Sequence, residues 1–452
     1  MNKNREELLQ KDPKELMIKL CTPAIIGMVV IGLYSFMDGV FAGQLIGKNA
    51  MAAVAVAYPI TFLNSAIATL IGIGSSSILS RAIGKNDQET INKIMGNLLC
   101  LVLIFSTIIT VLGIVFAREI LMITGAEGEI LELAVRYLRV IFIGSIFVNF
   151  AQSANMVMRG EGIMKKAMTF MMIGAILNII LDPIFILAFG EYGIEGAAIA
   201  TIIAQITQAI ITMFYFVKKS KNVRFHKVKI EKTLLPEIFS VGLSAMMMQV
   251  MSMIQQTLMY RMASKYGGSN QLILIGAALR IQALSFIPLW GMSQGLQPVV
   301  GTNYGAKLFT RVKKCTNTFI IGSTVLACLF WIPIEIFPNQ VLSLLITDSS
   351  VVNEGISNFR IMYSAFPLMG IFIMAVTFFQ SIGNAKNAGI IVSLRQLLLF
   401  VPAVIILPAF IGINGVWFVN PLIDVMVFIV IFVLIKKEYK KMEELTLINK
   451  AL

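Results

Sequence analysis

Two carboxylates draw attention because of where they fall. Asp38 lies in GLYSFMDGVF and Asp182 in LNIILDPIFIL, inside long apolar runs where an acid is costly and rarely kept without a task. If both runs cross a membrane from the same side, the two acids lie about five and about seven or eight residues from its outer end, roughly 7–12 Å deep. Acids at one depth predict a shared site. Two carboxylates held together in an apolar medium resist being charged at once, so such a pair can take a proton on one side of a membrane and release it on the other. Asn178 lies one turn before Asp182 on the same helix face. Pro183 follows and removes a backbone hydrogen bond. With Thr201 from a neighbouring run, Asp38, Asp182 and Asn178 form the candidate cation-coupling set. Oxygens of Asp38, Asn178 and Asp182 could equally hold Na⁺. No other metal site is expected: the chain has one histidine, His226, and four cysteines (Cys21, Cys100, Cys315, Cys328) without CxxC spacing.

Other polar residues within apolar runs are candidates for the lining of a substrate cavity. They are Tyr34, Asn149, Gln152, Asn155, Gln255, Met259, Arg280, Gln282 and Asp424. Buried amides also serve as glue between helices, and a Met-rich face (Met248, Met251, Met259, Met262) suits either a promiscuous cavity or ordinary gap filling. Asp424 follows Asn420 and Pro421 and has two prospective ion-pair partners, Arg395 and Arg280.

The elements that must position these groups follow from composition. Of 452 residues, 57% are hydrophobic and 13% charged, against about 25% charged in a soluble domain. A soluble enzyme, a disordered chain and a disulfide scaffold are excluded. Apolar runs predict twelve spans, near 16–42, 51–80, 91–117, 130–155, 166–189, 193–217, 234–263, 271–300, 311–336, 351–380, 388–410 and 412–435. The polar start leads straight into the first run, which reads as a retained helix. Of the 37 Lys and Arg residues, about 27 fall in or beside the termini and the loops after even-numbered spans, and only Lys48, Arg118 and Lys265 in the opposite loops. Both termini are therefore expected in the cytoplasm.

The chain also repeats itself. A shift of about 221 residues places GIGSSSILSRAIGKND on SQGLQPVVGTNYGAKL, Arg139 on Arg360 and Gly162 on Gly383. With six spans per half, the repeat is parallel and predicts two facing bundles with a cavity between them. The expected organisation is an N-terminal six-helix lobe over 1–217, a basic cytoplasmic linker over 218–233, and a C-terminal six-helix lobe with a basic tail over 234–452. There is no G-x-x-x-x-G-K-[ST] loop for ATP and no nucleophile–base cluster, so a catalytic role is not expected and an ion gradient remains as the energy source.

The segments SFMDGVFAGQLIG, GIGSSSILSRAIGKND, MRGEGIMKKAM, LNIILDPIFIL, YGIEGAAIAT, GTNYGAKL and FFQSIGNAKNAG, in this order, resemble the multidrug and toxic compound extrusion (MATE) family, with the MepA-like bacterial exporters as the nearest branch. The resemblance runs from about residue 15 to 437. It implies an all-α, polytopic, V-shaped antiporter of twelve helices in two pseudo-symmetric bundles. It further implies exchange of cationic or amphipathic drugs for H⁺, or less readily Na⁺, by alternating access in a bacterial cytoplasmic membrane. No cofactor beyond the coupling ion, no nucleic acid and no partner beyond substrates and lipids is implied, and the protein is expected to be a monomer. Asp38, Asn178 and Asp182 match family positions for cation coupling, and Thr201 matches approximately. One bacterial branch instead carries acids in spans 7 and 10, where this chain has Gln255 and Gln256 and no acid. The competing expectation is a lipid-linked oligosaccharide flippase of the same wider superfamily, with Arg280 and Arg395 as the hint of a cationic cavity.

Overall fold

The computed structural model describes residues 3–123, 126–220 and 222–451, and helix is the only regular structure among them. The twelve spans are all present. Span 1 is Pro13–Phe41 with a π-helical end, span 2 Lys48–Lys85, span 3 Gln88–Val115, span 5 Met164–Phe189 and span 6 Gly193–Phe214. Spans 7 and 8 form one run, Leu235–Gly305, broken only at Gly268. Span 9 is Phe309–Ile336, span 10 Ser349–Tyr363 with Pro367–Ser381, span 11 Ala385–Ser393 with Phe400–Ile411, and span 12 Ile413–Ala451. Among the described residues, nine stretches are long and apolar enough to cross a membrane. Two of them hold two spans each, and span 4 is divided into Gly128–Ile143 and Ser145–Gly160. Span 4 is less apolar for a physical reason: Ser145, Asn149, Ser153 and Asn155 face protein rather than lipid and are buried.

The duplication is written into the backbone. The left-handed or otherwise positive-φ residues recur in pairs: Gly47 and Gly268, Asn86 and Lys307, Gly162 and Gly383, Gly190 and Gly412. Each pair ends or joins equivalent spans of the two halves. Asn86 closes span 2 at φ 60°, where asparagine tolerates the left-handed region better than other side chains, and the adjacent Asp87 caps span 3 by accepting from the Thr90 amide at 3.0 Å.

Contacts divide the chain into two compact units. The first holds the chain start and Ile26–Gly242, the second Glu6–Ile25 and Leu243–Leu452. The first parts of spans 1 and 7 are thus exchanged relative to a simple half-and-half division. Glycines make this possible. In the first unit, a Cβ on Gly74 would stand 2.2 Å from the Ile238 carbonyl oxygen and one on Gly242 1.9 Å from that of Leu70, so the start of span 7 lies backbone to backbone on span 2. In the second unit, Gly291 admits the Ile25 backbone and Gly295 the Cys21 sulfur, and Asn303 donates to the Leu8 carbonyl at 2.9 Å.

The basic segment between spans 6 and 7 is more than a tether. Val223 is fully buried in the first unit, Asn222 donates to Glu161 at 2.8 Å, and Asn97 accepts from the Glu231 amide at 2.9 Å.

Candidate functional site

The site in the first unit grows from a close helix pair. Gly196 of span 6 lies against the Phe185 carbonyl of span 5, where a Cβ would come within 2.5 Å of that oxygen. This approach brings the next turns together. Asn178 Nδ2 donates to Asp182 Oδ1 at 2.9 Å and to Thr201 Oγ1 at 3.2 Å, and Thr201 donates to the Ala197 carbonyl at 3.1 Å. Asp182 and Asn178 are each 1% exposed. Pro183 leaves the helix continuous through Phe189, so the loosening it introduces is confined to one missing backbone bond.

Span 1 supplies the second acid. The carboxyls of Asp38 and Asp182 lie within hydrogen-bonding reach of each other. Two carboxylates cannot bond each other unless one carries a proton or a cation lies between them. The remaining valences say the same. Asp38 Oδ1 and Asn178 Oδ1 are buried, and no N–H or hydroxyl donor among the described residues reaches them; nor does one reach Gln205 Oε1, a turn beyond Thr201. The site is therefore rich in acceptors and poor in donors, and a proton or a small cation would complete it. Among the described residues no group of three or more His, Cys, Asp or Glu side chains is placed to hold a metal ion, so Na⁺ would rely on amide and hydroxyl oxygens.

Tyr137, absent from the sequence candidates, is buried in span 4 near enough to Asp38 and Asp182 for their charges to act on it. In sequence it reads as an ordinary interfacial aromatic between Arg136 and Arg139. Arg136 itself is held by Glu195, with Nη2 to Oε2 at 2.8 Å, and lies 5.0 Å over the Tyr192 ring, tying span 4 to the start of span 6.

The cavity candidates separate into distinct places. Tyr34 is half-buried one turn before Asp38 in span 1. Asn149 is fully buried elsewhere in the unit. It donates to Asn64 at 3.0 Å and Ser106 at 2.9 Å, while Asn64 donates to Ser145 at 3.1 Å, a polar ladder joining spans 2, 3 and 4. Asn155 donates to the Ala167 carbonyl at 2.6 Å and fastens span 4 to span 5. Gln152 is half-buried in span 4. In the second unit Met259 is buried, Gln282 is half-buried, and Arg280 is exposed. Asp424 takes Arg395, not Arg280, as its partner: Arg395 Nε donates to Asp424 Oδ1 at 2.9 Å, and both side chains are buried. Gln255 reaches the Arg395 carbonyl at 3.4 Å.

Twelve helices in two related units, with a buried acid pair in one, define a polytopic membrane transport protein. The MatE family model matches residues 23–184 and 244–406, one match in each half, and the chain belongs to that family. It is 24% identical over 402 residues to the "Multidrug export protein MepA" of Staphylococcus aureus (strain MRSA252), covering 88% of each chain. It is also 24% identical over 440 residues to a "FAD transporter" of Shewanella oneidensis, covering 96% of this chain and 97% of that protein. Among solved structures, an outward-facing multidrug resistance MATE family transporter of the MOP superfamily superposes with a TM-score of 0.91 at 29% identity, over 98% of this chain and 99% of that one. The family resemblance carried by SFMDGVFAGQLIG and its companion segments is thereby established.

Proposed function

We propose that this protein is a cation-coupled antiporter that exports amphipathic or cationic compounds across a bacterial cytoplasmic membrane by alternating access, with both termini in the cytoplasm. The observation that carries the reading is the Asp38–Asp182 carboxyl pair, braced by Asn178 and Thr201 and poor in donors. A proton binds such a pair with the residues already in place, whereas Na⁺ would need further oxygens drawn in. H⁺ is therefore the favoured coupling ion. Relatives named for multidrug export and FAD transport support small amphipathic molecules as cargo. A lipid-linked sugar flippase is disfavoured: it needs a concentrated positive surface for a pyrophosphate, and here Asp424 neutralises Arg395 while Arg280 stands apart from that pair.

The test is dye movement in proteoliposomes holding the purified protein, with either a pH gradient or a Na⁺ gradient imposed. Accumulation driven by the pH gradient alone is the expected result. Accumulation with Na⁺ alone would reassign the ion, and none with either would overturn the reading.

A further inference from the structure

The linker between spans 6 and 7 is a helix-free strap over residues 222–231, laid on the first unit by its backbone. A Cβ on Gly96 of span 3 would stand 1.8 Å from the Lys227 carbonyl oxygen, so the strap lies directly on that helix. Val223 is fully buried, and the Phe225 ring meets Phe216 edge-on with 6.4 Å between centres. The side chains of Arg224, His226, Lys227 and Lys229 are exposed. At one end Asn97 holds the strap by accepting from the Glu231 amide at 2.9 Å. At the other end the fastening is an acid: Asn222 Nδ2 donates to Glu161 Oε1 at 2.8 Å.

Glu161 lacks what an ionised carboxylate needs. It is 2% exposed, its second oxygen Oε2 is buried, and no donor among the described residues reaches that oxygen. Arg159, two residues back, is buried with its own Nε unpartnered, so the two do not neutralise each other. Lys166, from the start of span 5, acts on Glu161 through its charge, but its ammonium lies 5.2 Å over the Tyr215 ring. Tyr215, in the π-helical end of span 6, is the other ionisable group that feels the Glu161 charge. An unpaired charge in such a place is costly, and burial pushes Glu161 up to about 7. The acid is also peculiar to the half that carries a strap. The turn itself is duplicated, with Gly162 and Gly383 both at positive φ, yet Ile382 stands where the repeat places Glu161.

We propose that Glu161 is a proton-binding site separate from the Asp38–Asp182 pair, and that its proton latches the strap to the first unit. With the proton on, the neutral carboxyl keeps its place beneath Asn222. With the proton off, the charge reaches water only when Asn222 and Val223 lift away, and the strap is released. That this end faces the cytoplasm rests on the transport reading above. On that reading, protons delivered by exchange hold the strap shut and an alkaline cytoplasm frees it.

The test is limited trypsin digestion of the purified full chain in phosphatidylcholine nanodiscs between pH 6 and pH 8. Cuts after Arg224, Lys227 and Lys229 are followed by mass spectrometry. Cleavage within a docked segment tracks the population of its open form. The readout is the ratio of wild-type rate to that of Glu161→Gln, whose amide mimics the protonated acid. This ratio cancels the protease's own pH dependence and that of His226, which both proteins share. An acid moved from 4.5 when free to about 7 when docked weakens docking about tenfold over this range. The ratio should rise by that factor, and a flat ratio overturns the proposal. Val223→Ser, its folding checked by thermal unfolding, should be cut faster at every pH. If it is cut no faster than wild type, docking does not guard these bonds and the latch is refuted. The digestion needs neither gradient nor substrate. A rising ratio without dye export therefore sinks the transport reading alone, and a flat ratio beside working export sinks the latch alone.

Discussion

Substituting Asp182→Asn isolates the acid pair from the scaffold that holds it. The amide keeps an oxygen to accept from Asn178 Nδ2, now 2.9 Å from Asp182 Oδ1, and gains an N–H to donate to Asp38. A hydrogen bond to a charged acceptor contributes about 1.5–3 kcal/mol and a neutral one about 0.5–1.5 kcal/mol, so the exchange costs about 1 kcal/mol. Removing one acid from a donor-poor pair offsets part of that. For a chain of this size the midpoint of thermal unfolding should move by only about 1–2 °C. Transport should respond very differently. One pH unit corresponds to about 1.4 kcal/mol per proton, which drives about tenfold accumulation of a substrate exchanged one for one. With Asn at 182 the site has no proton to exchange, and the accumulation ratio should fall to about one while dye binding persists. The assay pairs dye accumulation in proteoliposomes at a fixed pH step with equilibrium dye binding in detergent. An Asp182→Asn protein that still concentrates dye would place the exchanged ion elsewhere and refute this reasoning.

Three further outcomes follow from the same structure. Asn149→Ala should strand Asn64 and Ser106 and destabilise the first unit by about 1–3 kcal/mol, seen as a lowered unfolding midpoint with the coupling ion unchanged. Gly196→Val should push span 6 from the Phe185 carbonyl, part Thr201 from Asn178, and abolish gradient-driven accumulation more completely than it lowers expression; wild-type transport would show that the close approach is dispensable. Glu161, in the turn after span 4, is pushed up to about 7 by burial, against the hydrogen bond from Asn222 and the charge of Lys166. Its folded value lies above its unfolded one, so the folded state binds the extra proton. That stabilisation is present below about pH 4.5 and lost as pH rises through 7, worth at most about 3 kcal/mol. Unfolding midpoints should fall between pH 5 and 8 in wild type and fall less steeply in Glu161→Gln.

The residues of the acid site were legible because polar atoms are rare in lipid-spanning runs. Asp38, Asn178, Asp182 and Thr201 are conspicuous against Ile, Leu and Phe, and depth along a helix follows from counting. The nearness of Tyr137 to the acids was not legible, since an aromatic near a membrane interface has an ordinary explanation and only the packing of span 4 brings it within range of their charges. Polarity alone could not tell a cavity-lining amide from a structural one, and Asn149 proves to join three helices. The 221-residue offset was readable, and eight of the positive-φ residues recur at about that spacing. What it could not convey was which unit each half of a helix joins. Hydrophobic runs mark where helices lie, whereas the placement of Glu6–Ile25 depends on close approaches at Gly291, to the Ile25 backbone, and Gly295, to the Cys21 sulfur. The same is true of the linker, whose positive charge predicts a solvated loop but whose Val223 is an anchor in the first unit.

The exchanged beginnings of spans 1 and 7 also constrain how the protein is made. During synthesis the first unit lacks a packing strip until residue 242 has emerged, because only then can Ile238 and Gly242 settle on span 2. The strip Glu6–Ile25 waits far longer. Its seat on Gly291 and Gly295 is produced about 270 residues later, a delay of roughly 15–55 s at 5–20 residues per second. Throughout that interval an early helix is threaded into the bilayer with half its length unmatched, a ready client for insertion chaperones and a point of attack for membrane proteases. Cutting the gene between spans 6 and 7 would yield two fragments that each expose a bare glycine groove and carry the other's missing strip, so the halves should be recoverable together and degraded apart.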